Sequence, residues 1–234
     1  MAWYERTEII LGHDNIEKLK RKHIAIFGVG GVGGYVCEGL ARVGIGEFDI
    51  IDNDVVDETN INRQIIALTS TIGKNKVDVM KDRLIDINPS VKVNQHKVFF
   101  SDANKDIFPF DKYDYIVDAI DSVESKLTLI KFAKEKNINM ISAMGAGFRL
   151  DGERFKVANI KDTKVCPLAK KIRTELRKSG INDLKVVYSD EEPKKDKYVD
   201  SAIFSNGIGS ISYAPAIMGL LIAETVIKDL LIVP

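Results

Sequence analysis

The chain has 234 residues, 45% hydrophobic and 29% charged, enough for one large α/β domain or two small ones with a buried core. Its 34 Lys and Arg balance its 34 Asp and Glu, which excludes a general electrostatic attraction to nucleic acid but not a local basic surface. Two cysteines and no C-x-x-C pair exclude a disulfide scaffold and a paired-cysteine zinc site, and they favour reduced thiols.

The sequence predicts neither a targeting segment nor a membrane span. Residues 1–23 are too charged for a secretory signal. The most apolar stretch, 214–233, contains a proline and three charged residues, so we expect a buried or interface helix. These features predict a cytoplasmic protein without membrane attachment.

Apolar runs and helix-like spacings alternate from residue 23 to residue 147. The predicted strands are 23–30, 47–54, 91–100, 113–121 and 138–147. A short helix capped by Asp14 precedes them, and the other predicted helices are 32–43, 75–87 and 126–136. This alternation predicts an α/β fold with a doubly wound, mostly parallel, Rossmann-like sheet, in which ligands bind at the carboxyl ends of the strands.

The pattern changes after Gly147. Pro167 can start a helix that carries a narrow apolar stripe, and the remaining surface of that helix is basic, with Lys170, Lys171, Arg173, Arg177 and Lys178. Residues 189–198 are expected to form a polar loop, and 203–231 to return to the core. We therefore expect a single domain, 1–234, with a nucleotide-binding core at 1–147 and a C-terminal α/β extension at 148–234.

A glycine-rich segment separates the first predicted strand from the following helix. Gly28, Gly30 and Gly33 fit the pattern G-x-G-x-x-G, with Gly31 between them. Such a loop lets the backbone approach phosphates, and the helix amino terminus supplies free N–H groups. Asp52 ends the next strand, where a carboxylate can accept hydrogen bonds from ribose hydroxyls. Together these residues predict a nucleotide site without separating ATP from NAD or FAD.

A second cluster, Asn60, Arg63, Gln64 and Lys76, favours a triphosphate. A dinucleotide needs no extra cations here, whereas cleavage between phosphates builds negative charge that Arg63 and Lys76 can offset. The alternative is that Lys76 is one of many surface lysines.

Two aspartates, Asp118 and Asp121, lie at the end of the strand 113–121. Either carboxylate could hold Mg²⁺ against phosphates, because Mg²⁺ prefers one or two carboxylates plus substrate oxygens. Either could instead cap the helix that begins near Ser122. The residues alone leave both interpretations open.

These motifs together resemble the adenylating domain of the ubiquitin-activating-enzyme superfamily, which includes the ThiF-type sulfur-carrier adenylyltransferases. The matching elements, in order, are Arg6…Gly12, GVGGVG, DNDVVDETNINRQ, GKNK and DAIDS. The segments 145–181, 184–193 and 209–230 resemble a narrower branch, the tRNA threonylcarbamoyladenosine dehydratases, and extend the resemblance over nearly the whole chain. Gly152 departs from it, since a proline is expected there.

The resemblance implies a ligase-type enzyme that uses ATP and Mg²⁺. Such an enzyme adenylates the threonyl carboxylate of threonylcarbamoyladenosine in tRNA, and the carbamoyl nitrogen then displaces AMP to close a hydantoin ring. The implied partners are the modified tRNA, a second copy of the chain in a homodimer, and a sulfur-trafficking protein.

Residue roles carry over from the matching motifs. Gly28, Gly30, Gly31 and Gly33 would line the nucleotide, and Asp52 would hold the ribose. Asn60, Arg63, Gln64 and Lys76 would contact phosphates or the adenylate, and Asp121 would bind Mg²⁺. Arg6 matches an arginine that reaches the ATP of the partner subunit, so the implied catalytic residues are Arg63, Lys76, Asp121 and Arg6.

The basic helix and Cys166 each have two interpretations at this level. The helix would meet the tRNA backbone, or it is simply a solvated face. Cys166 precedes a helix, where a thiol pKa can fall, but the implied cyclisation has its nucleophile inside the substrate. We therefore expect Cys166 to be structural and Cys37 to lie in the core.

Two other functions stay open. An adenylyltransferase for a ubiquitin-like sulfur carrier would share the core, but the missing C-x-x-C pairs and the sequence after residue 147 argue against it. A dinucleotide-binding oxidoreductase or redox sensor would explain the glycine loop and Asp52, but it leaves Arg63, Lys76 and Asp121 without a role.

Overall fold

A seven-stranded sheet organises the computed structural model, which describes residues 3–193 and 208–231. The strands are β1 His23–Phe27, β2 Glu47–Ile51, β3 Lys92–His96, β4 Tyr115–Asp118, β5 Met140–Ala143, β6 Phe155–Asn159 and β7 Lys185–Ser189. Their order is β3-β2-β1-β4-β5-β7-β6, and every neighbouring pair is parallel except β6 and β7. The predicted doubly wound, mostly parallel α/β sheet is confirmed.

Helices cover both faces of this sheet. They are α1 Glu5–Leu11, α2 His13–Leu19, α3 Gly33–Val43, α4 Lys76–Ile87, α5 Val123–Glu135, α6 Pro167–Lys178 and α7 Tyr213–Leu231. The core on one face contains side chains of α3, α4 and α7, and the core on the other contains those of α5 and α6. In the described part of the chain, no helix combines the length and apolarity that a bilayer crossing requires.

The register brings the strand ends to one edge. Phe27, the last residue of β1, pairs with Ile51 on one side and Asp118 on the other, and Asp118 pairs with Ser142 of β5. The residues that follow these strands therefore meet along one line, which is where ligands bind in doubly wound sheets.

The apolar segment near the C-terminus is mainly a core helix. In α7, Met218, Ile222 and Val226 are fully buried against α3 and the sheet. A Cβ on Gly39 of α3 would come within 2.9 Å of Ala223, and one on Gly219 within 2.5 Å of the Val32 carbonyl oxygen. Glycines at these two positions let the helix axes approach closely, and each buried aliphatic side chain contributes about 1.5–3 kcal/mol.

Several predicted boundaries differ from the structure. The strands are shorter, because their predicted ends include the loops that turn away from the sheet. The helix predicted to begin at Lys126 begins at Val123, because the Ser122 hydroxyl accepts a hydrogen bond from the Ser125 amide. Strands β6 and β7 and helix α1 were not predicted from the sequence. Residues 194–198 of the predicted polar loop and 203–207 of the predicted return to the core lie outside the described residues.

The sheet continues across the expected boundary at Gly147. β7 pairs with β5 of the core, and β6 pairs with β7 at the edge. The part after residue 147 therefore supplies two strands of the sheet, one helix on each of its faces, and part of the wall of the cleft described next.

Candidate functional site

A cleft of about 740 Å³ opens at the carboxyl ends of the strands. Its lining comes from the segments that follow β1, β2, β4 and β5, from the start of α6, and from the start of α7. This volume lies in the range of small-ligand and cofactor sites. The edge of the sheet predicted from the sequence is therefore where the structure has its large cleft.

The glycine loop forms one wall of this cleft. Gly28, Gly30 and Gly31 line it, and Gly28 has a φ of +92°, which favours glycine. A Cβ on Gly33 would lie 1.8 Å from the Gly28 carbonyl oxygen, so Gly33 allows α3 to pack against β1. Gly33 is not among the residues that line the cleft, so the structure assigns it support of the loop, and its contact with the nucleotide stays a prediction.

The amino terminus of α3 is open towards a ligand. Val32 precedes the helix and makes no side-chain cap. The amides of Gly34 and Tyr35 already donate to the carbonyl oxygens of Gly30 and Val32, so the amides that remain for a ligand are those before Gly34. Anions bind at such termini because the amides and the helix dipole both favour negative charge.

Asp52 links the β1 and β2 loops. Its carboxylate accepts hydrogen bonds from the Val29 amide at 2.7 Å and the Asp54 amide at 2.9 Å, and the residue lines the cleft. Burial raises the pKa of Asp52. The carboxylate is held at the cleft wall, where it can also accept hydrogen bonds from a ligand.

Asn60, Arg63 and Gln64 lie at and just after a 3₁₀ turn, Glu58–Asn60, and all three line the cleft. The Arg63 guanidinium donates to the Thr59 carbonyl and to the Asn62 side chain, each at 2.9 Å. No carboxylate of the described residues pairs with it. Gln64 is buried, and its Oε1 accepts no hydrogen bond from the described part of the chain.

Lys76 is the first residue of α4 and is only 5% exposed, so the surface-lysine interpretation is wrong. Its Nζ lies 2.7 Å from Asp54 Oδ2. A backbone bridge between Val55 and Asn75 brings the two segments together. A buried ammonium that lines a cleft and has a single carboxylate partner can exchange that partner for a phosphate.

The two aspartates after β4 have different environments. Asp118 is fully buried: its Oδ2 lies 2.7 Å from Lys126 Nζ and accepts a hydrogen bond from the Ser142 hydroxyl. Asp121 is exposed and lines the cleft. Ser122, and neither aspartate, caps α5, which corrects the cap interpretation.

Asp121 is the carboxylate that fits Mg²⁺. It lies at the edge of the cleft, and within the described ranges no side chain pairs with it. Mg²⁺ typically takes one or two carboxylates together with substrate oxygens and waters, and an unpaired carboxylate that lines the cleft meets that requirement.

Arg6 lies outside the cleft of its own chain. It is an exposed residue of α1, a helix with no buried residue. The neighbouring Ile9 and Ile10 are 84% and 83% exposed. The structure of one chain therefore does not bring Arg6 together with the other predicted site residues.

The cleft also contains residues that the sequence patterns did not indicate. Asp54, Phe148 and Arg149 line it, as do Ile208 and Pro215 from the start of α7 and the segment before it. A single arginine in GFRLDG belongs to no spaced motif, so only its burial in the folded chain, at 2% exposure, singles it out.

Both cysteines are buried. Burial raises the pKa of the Cys37 thiol in α3, which makes the thiol unreactive, as expected of a core residue. Cys166 precedes α6 and lines the cleft beside Gly145, where a Cβ added to that glycine would lie 3.7 Å from the Cys166 Sγ.

The basic face of α6 is smaller than predicted. Lys170, Lys171, Arg177 and Lys178 are exposed, and Lys178 pairs with Glu175 at 2.7 Å. Arg173 is half-buried and donates to the Thr163 carbonyl oxygen at 2.9 Å. Arg173 therefore anchors the loop before α6 and is not a free surface cation.

Comparison with known proteins agrees with this architecture. The sequence model of the ThiF family matches residues 4–233. The tRNA threonylcarbamoyladenosine dehydratase of Bacillus subtilis (strain 168) is 39% identical over 239 residues, which cover 97% of this chain and 94% of that protein. The enzyme of the same name from Escherichia coli (strain K12) is 37% identical over 179 residues, covering 75% of this chain and 67% of that protein.

Solved structures of tRNA N6-threonylcarbamoyladenosine dehydratase have the same fold as this chain. The structure of E. coli tRNA N6-threonylcarbamoyladenosine dehydratase, TcdA, in complex with ATP has a TM-score of 0.90 and 31% identity, and covers 98% of this chain and 93% of that chain. The complex of TcdA with AMP has the same TM-score and identity, with 98% and 95% coverage. Since the match extends from the first helix to the last, this chain belongs to the ThiF family, within which it resembles the tRNA threonylcarbamoyladenosine dehydratases along almost its whole length.

Proposed function

We propose that this chain catalyses the ATP-dependent cyclisation of threonylcarbamoyladenosine in tRNA to the hydantoin form, a dehydration. The observation that carries the proposal is the similarity to dehydratases along nearly their full length, at 39% identity to the B. subtilis enzyme. That similarity includes the region after residue 147, which in this chain supplies part of the cleft wall. TcdA structures that contain ATP and AMP support ATP as the activating substrate.

The cleft has residues suited to the phosphates and the ribose of ATP. The loop Gly28–Gly31 and the open terminus of α3 would hold phosphates, with Gly33 supporting the loop from behind. Asp52 would accept hydrogen bonds from the ribose. Arg63 and Lys76 would offset the charge that develops on the departing pyrophosphate. Asn60 and Gln64 complete this wall, where the unpaired Gln64 Oε1 is available as an acceptor.

Mg²⁺ is the implied metal, and Asp121 would hold it, where it would neutralise phosphate charge. The Lys126–Asp118 ion pair lies directly below and fixes the end of β4 to β5, since Lys126 Nζ also donates to the Ala143 carbonyl oxygen at 2.9 Å. Asp121 is thereby presented from a rigid strand end.

The proposed chemistry has two steps. A threonyl carboxylate oxygen attacks the α-phosphorus of ATP, the bond to the β-phosphate oxygen breaks, and pyrophosphate leaves. The carbamoyl nitrogen then attacks the activated carbonyl carbon, its proton is lost, and the bond to AMP breaks. A carboxylate is a poor acyl donor until its oxygen becomes part of a phosphate leaving group, so the cleft mainly orients reactants and stabilises charge. A new C–N bond formed at the expense of ATP makes this a ligase-type reaction.

We also propose a homodimer, in which Arg6 of one chain reaches the cleft of the other. Support comes from α1, whose exposed isoleucines Ile9 and Ile10 would be covered in a dimer. The exposed lysines of α6 would contact the tRNA backbone. We further propose a cytoplasmic location and a sulfur-trafficking partner. The chain would divide into a core at 1–147 and an extension at 148–234 that faces the tRNA and forms the dimer interface.

The other two functions have less support. A relative named as a probable adenylyltransferase/sulfurtransferase, MoeZ of Mycobacterium tuberculosis (strain CDC 1551 / Oshkosh), is 34% identical, but over only 54% of this chain. An oxidoreductase would leave the buried Lys76 and the unpaired Asp121 unexplained.

The decisive experiment supplies the protein with ATP, Mg²⁺ and tRNA that carries threonylcarbamoyladenosine. Digested nucleosides are analysed by mass spectrometry under mild conditions. The expected result is loss of one water from that nucleoside, together with one AMP and one pyrophosphate per turnover. Adenylation of a sulfur-carrier C-terminus with no change in the tRNA would instead support the alternative. Thermal stabilisation by NAD(H) but not by ATP with Mg²⁺ would contradict both adenylation functions.

A further inference from the structure

Arg149 is a buried cation to which the proposed function assigns no role. The residue is 2% exposed and lines the cleft from the loop after β5. Its guanidinium donates through one terminal nitrogen to the backbone carbonyl oxygen of Glu191. Its Nε–H is buried and has no hydrogen-bond partner in the described ranges. No carboxylate of the described residues forms an ion pair with Arg149.

Glu191, whose carbonyl oxygen accepts this hydrogen bond, uses its carboxylate for the backbone beyond Arg149. Glu191 Oε2 accepts hydrogen bonds from the amides of Leu150 and Asp151, both at 3.0 Å. The acid therefore organises the backbone beyond Arg149. An ionised side chain out of water costs several kcal/mol unless it is paired, and an unmade hydrogen bond adds to that cost. Such a group at the wall of a binding cleft indicates an anionic ligand.

The loop that carries Arg149 is held in a demanding conformation. Phe148 has a φ of +56°, in the left-handed region that a bulky side chain rarely adopts. Its amide donates to the Gly209 carbonyl oxygen at 2.8 Å, and a Cβ on Gly209 would lie 2.9 Å from the Phe148 ring. The segment before α7 thus fixes the backbone from which Arg149 extends, as expected for a group with a positioning role.

Arg149 reaches the cleft from a different strand end than the other two cations. Arg63 and Lys76 belong to the connection after β2, whereas Arg149 follows β5. In the order β2-β1-β4-β5 these strands are three spacings apart, or about 14 Å. An anion at Arg149 would therefore be held by a different segment of the chain from the one that carries Arg63 and Lys76.

We propose that Arg149 binds the carboxylate of the acceptor, the threonyl carboxylate if the proposed function is right, and orients it for attack on the α-phosphate. The inference rests on that function. A guanidinium can bind a carboxylate through two parallel hydrogen bonds, which fixes the plane of the group as well as its position. Pairing also removes the unpaired buried charge, so Arg149 selects an anionic acceptor over a neutral one.

The test measures binding without ATP, so that no reaction occurs. Two tRNAs are compared, one with threonylcarbamoyladenosine and one in which the threonyl carboxylate is a carboxamide. The wild-type protein is expected to bind the acid form about 10- to 100-fold more tightly, the range for a charge-assisted hydrogen bond. In Arg149→Gln this ratio is expected to fall to near one, with thermal stabilisation by ATP unchanged.

Arg154→Gln is the matched control. It removes the same charge five positions along the chain, from an exposed arginine that pairs with Asp190 at 2.7 Å and does not line the cleft. This variant should keep the wild-type ratio. Retention of the wild-type ratio in Arg149→Gln would overturn the inference. So would a loss of ATP stabilisation with the ratio intact, which would assign Arg149 to the nucleotide.

A second measurement tests the inference even if Arg149→Gln does not fold. If Arg149→Gln does not fold, the Nε–H resonance of Arg149 in the wild-type protein, assigned with Arg149→Lys, should shift with acid tRNA and not with carboxamide tRNA. An unchanged resonance would reject the inference.

The two proposals can fail separately. If the wild type never cyclises the modified nucleoside, the proposed function fails. If it cyclises the nucleoside but binds both tRNAs equally, only the role of Arg149 fails.

Discussion

At the residue scale, the cleft contains charges that are already paired and groups that still lack a partner. Lys76 is neutralised by Asp54, and Asp118 by Lys126, before any ligand binds. Asp121 and the Arg149 Nε–H lack partners among the described residues, as does Gln64 Oε1. The Asp118–Lys126 pair maintains the shape of the cleft, whereas Lys76 can exchange Asp54 for a phosphate. The unpaired groups are where a nucleotide, a metal or an acceptor gains most from binding.

Lys76→Met should abolish most of the activity. The ammonium is expected to stabilise charge in the transition state, so its loss costs about 2.7–4 kcal/mol, or roughly 10²–10³ in kcat. The measurement is the rate of pyrophosphate release with modified tRNA. The exposed Lys74 offers the control, because Lys74→Met removes the same charge two residues away and should be near wild type. Equal rates for the two variants would remove Lys76 from the catalytic residues.

At the scale of elements, polar contacts join neighbouring strands beneath the cleft. Asp49 of β2 accepts hydrogen bonds from His23 of β1 at 2.8 Å, His96 of β3 at 2.9 Å and Tyr113 at 2.7 Å, and also from Asn94. Burial alone would raise the pKa of Asp49, but these hydrogen bonds outweigh burial and hold it well below its ordinary value. The carboxylate is thus a link between three strands.

This link predicts a loss of stability in acid. The pKa of Asp49 is lower in the folded than in the unfolded chain. Its contribution to the free energy of unfolding is therefore present above about pH 4 and is lost as the pH falls below that value. Asp49→Asn should lower the free energy of unfolding at pH 7, and its difference from wild type should narrow below pH 4. Urea unfolding at a series of pH values measures both. A constant difference across that range would show that Asp49 has no such role.

Helix α6 presents a row of exposed lysines beside the cleft. Lys170→Ala together with Lys171→Ala should weaken binding of modified tRNA and lower the slope of log K against log salt by about one for each phosphate that no longer meets a lysine. Lys112→Ala is the control, because Lys112 is an exposed lysine of the 3₁₀ turn Phe110–Lys112 and not of α6. An unchanged slope in the double variant would mean that this face of α6 is only solvated.

At the scale of the whole molecule, Arg6 lies apart from the cleft of its own chain. Arg6 lies on α1, which has no buried residue and carries exposed isoleucines. A partner that buried these isoleucines would stabilise α1. The proposed homodimer would cover α1 and supply each cleft with a cation from the other chain.

Mixing inactive variants tests that arrangement. Arg6→Ala and Lys76→Met should each be inactive alone, and a re-equilibrated equal mixture should recover about a quarter of wild-type activity, since half of the dimers then contain one intact site of two. Recovery occurs only if Arg6 acts in the partner's cleft. No recovery, with dimers confirmed by light scattering, would place Arg6 in the site of its own chain. Wild-type activity of Arg6→Ala alone would place it outside any site.

The amino-acid sequence by itself determined the strand–helix alternation, the edge at which ligands bind, and the groups around the glycine loop, because these depend on local periodicity and on motifs with short spacings. It also favoured a triphosphate over a dinucleotide through Arg63 and Lys76, whose roles stay predictions. Only the tertiary structure decided which of Asp118 and Asp121 is available, that Gly33 supports packing, that Arg173 anchors a loop, and that Arg149 is buried at the cleft. These outcomes depend on contacts between segments distant in sequence, such as α5 with β5 and residue 149 with residue 191, and burial and pairing of charge exist only once those segments have come together.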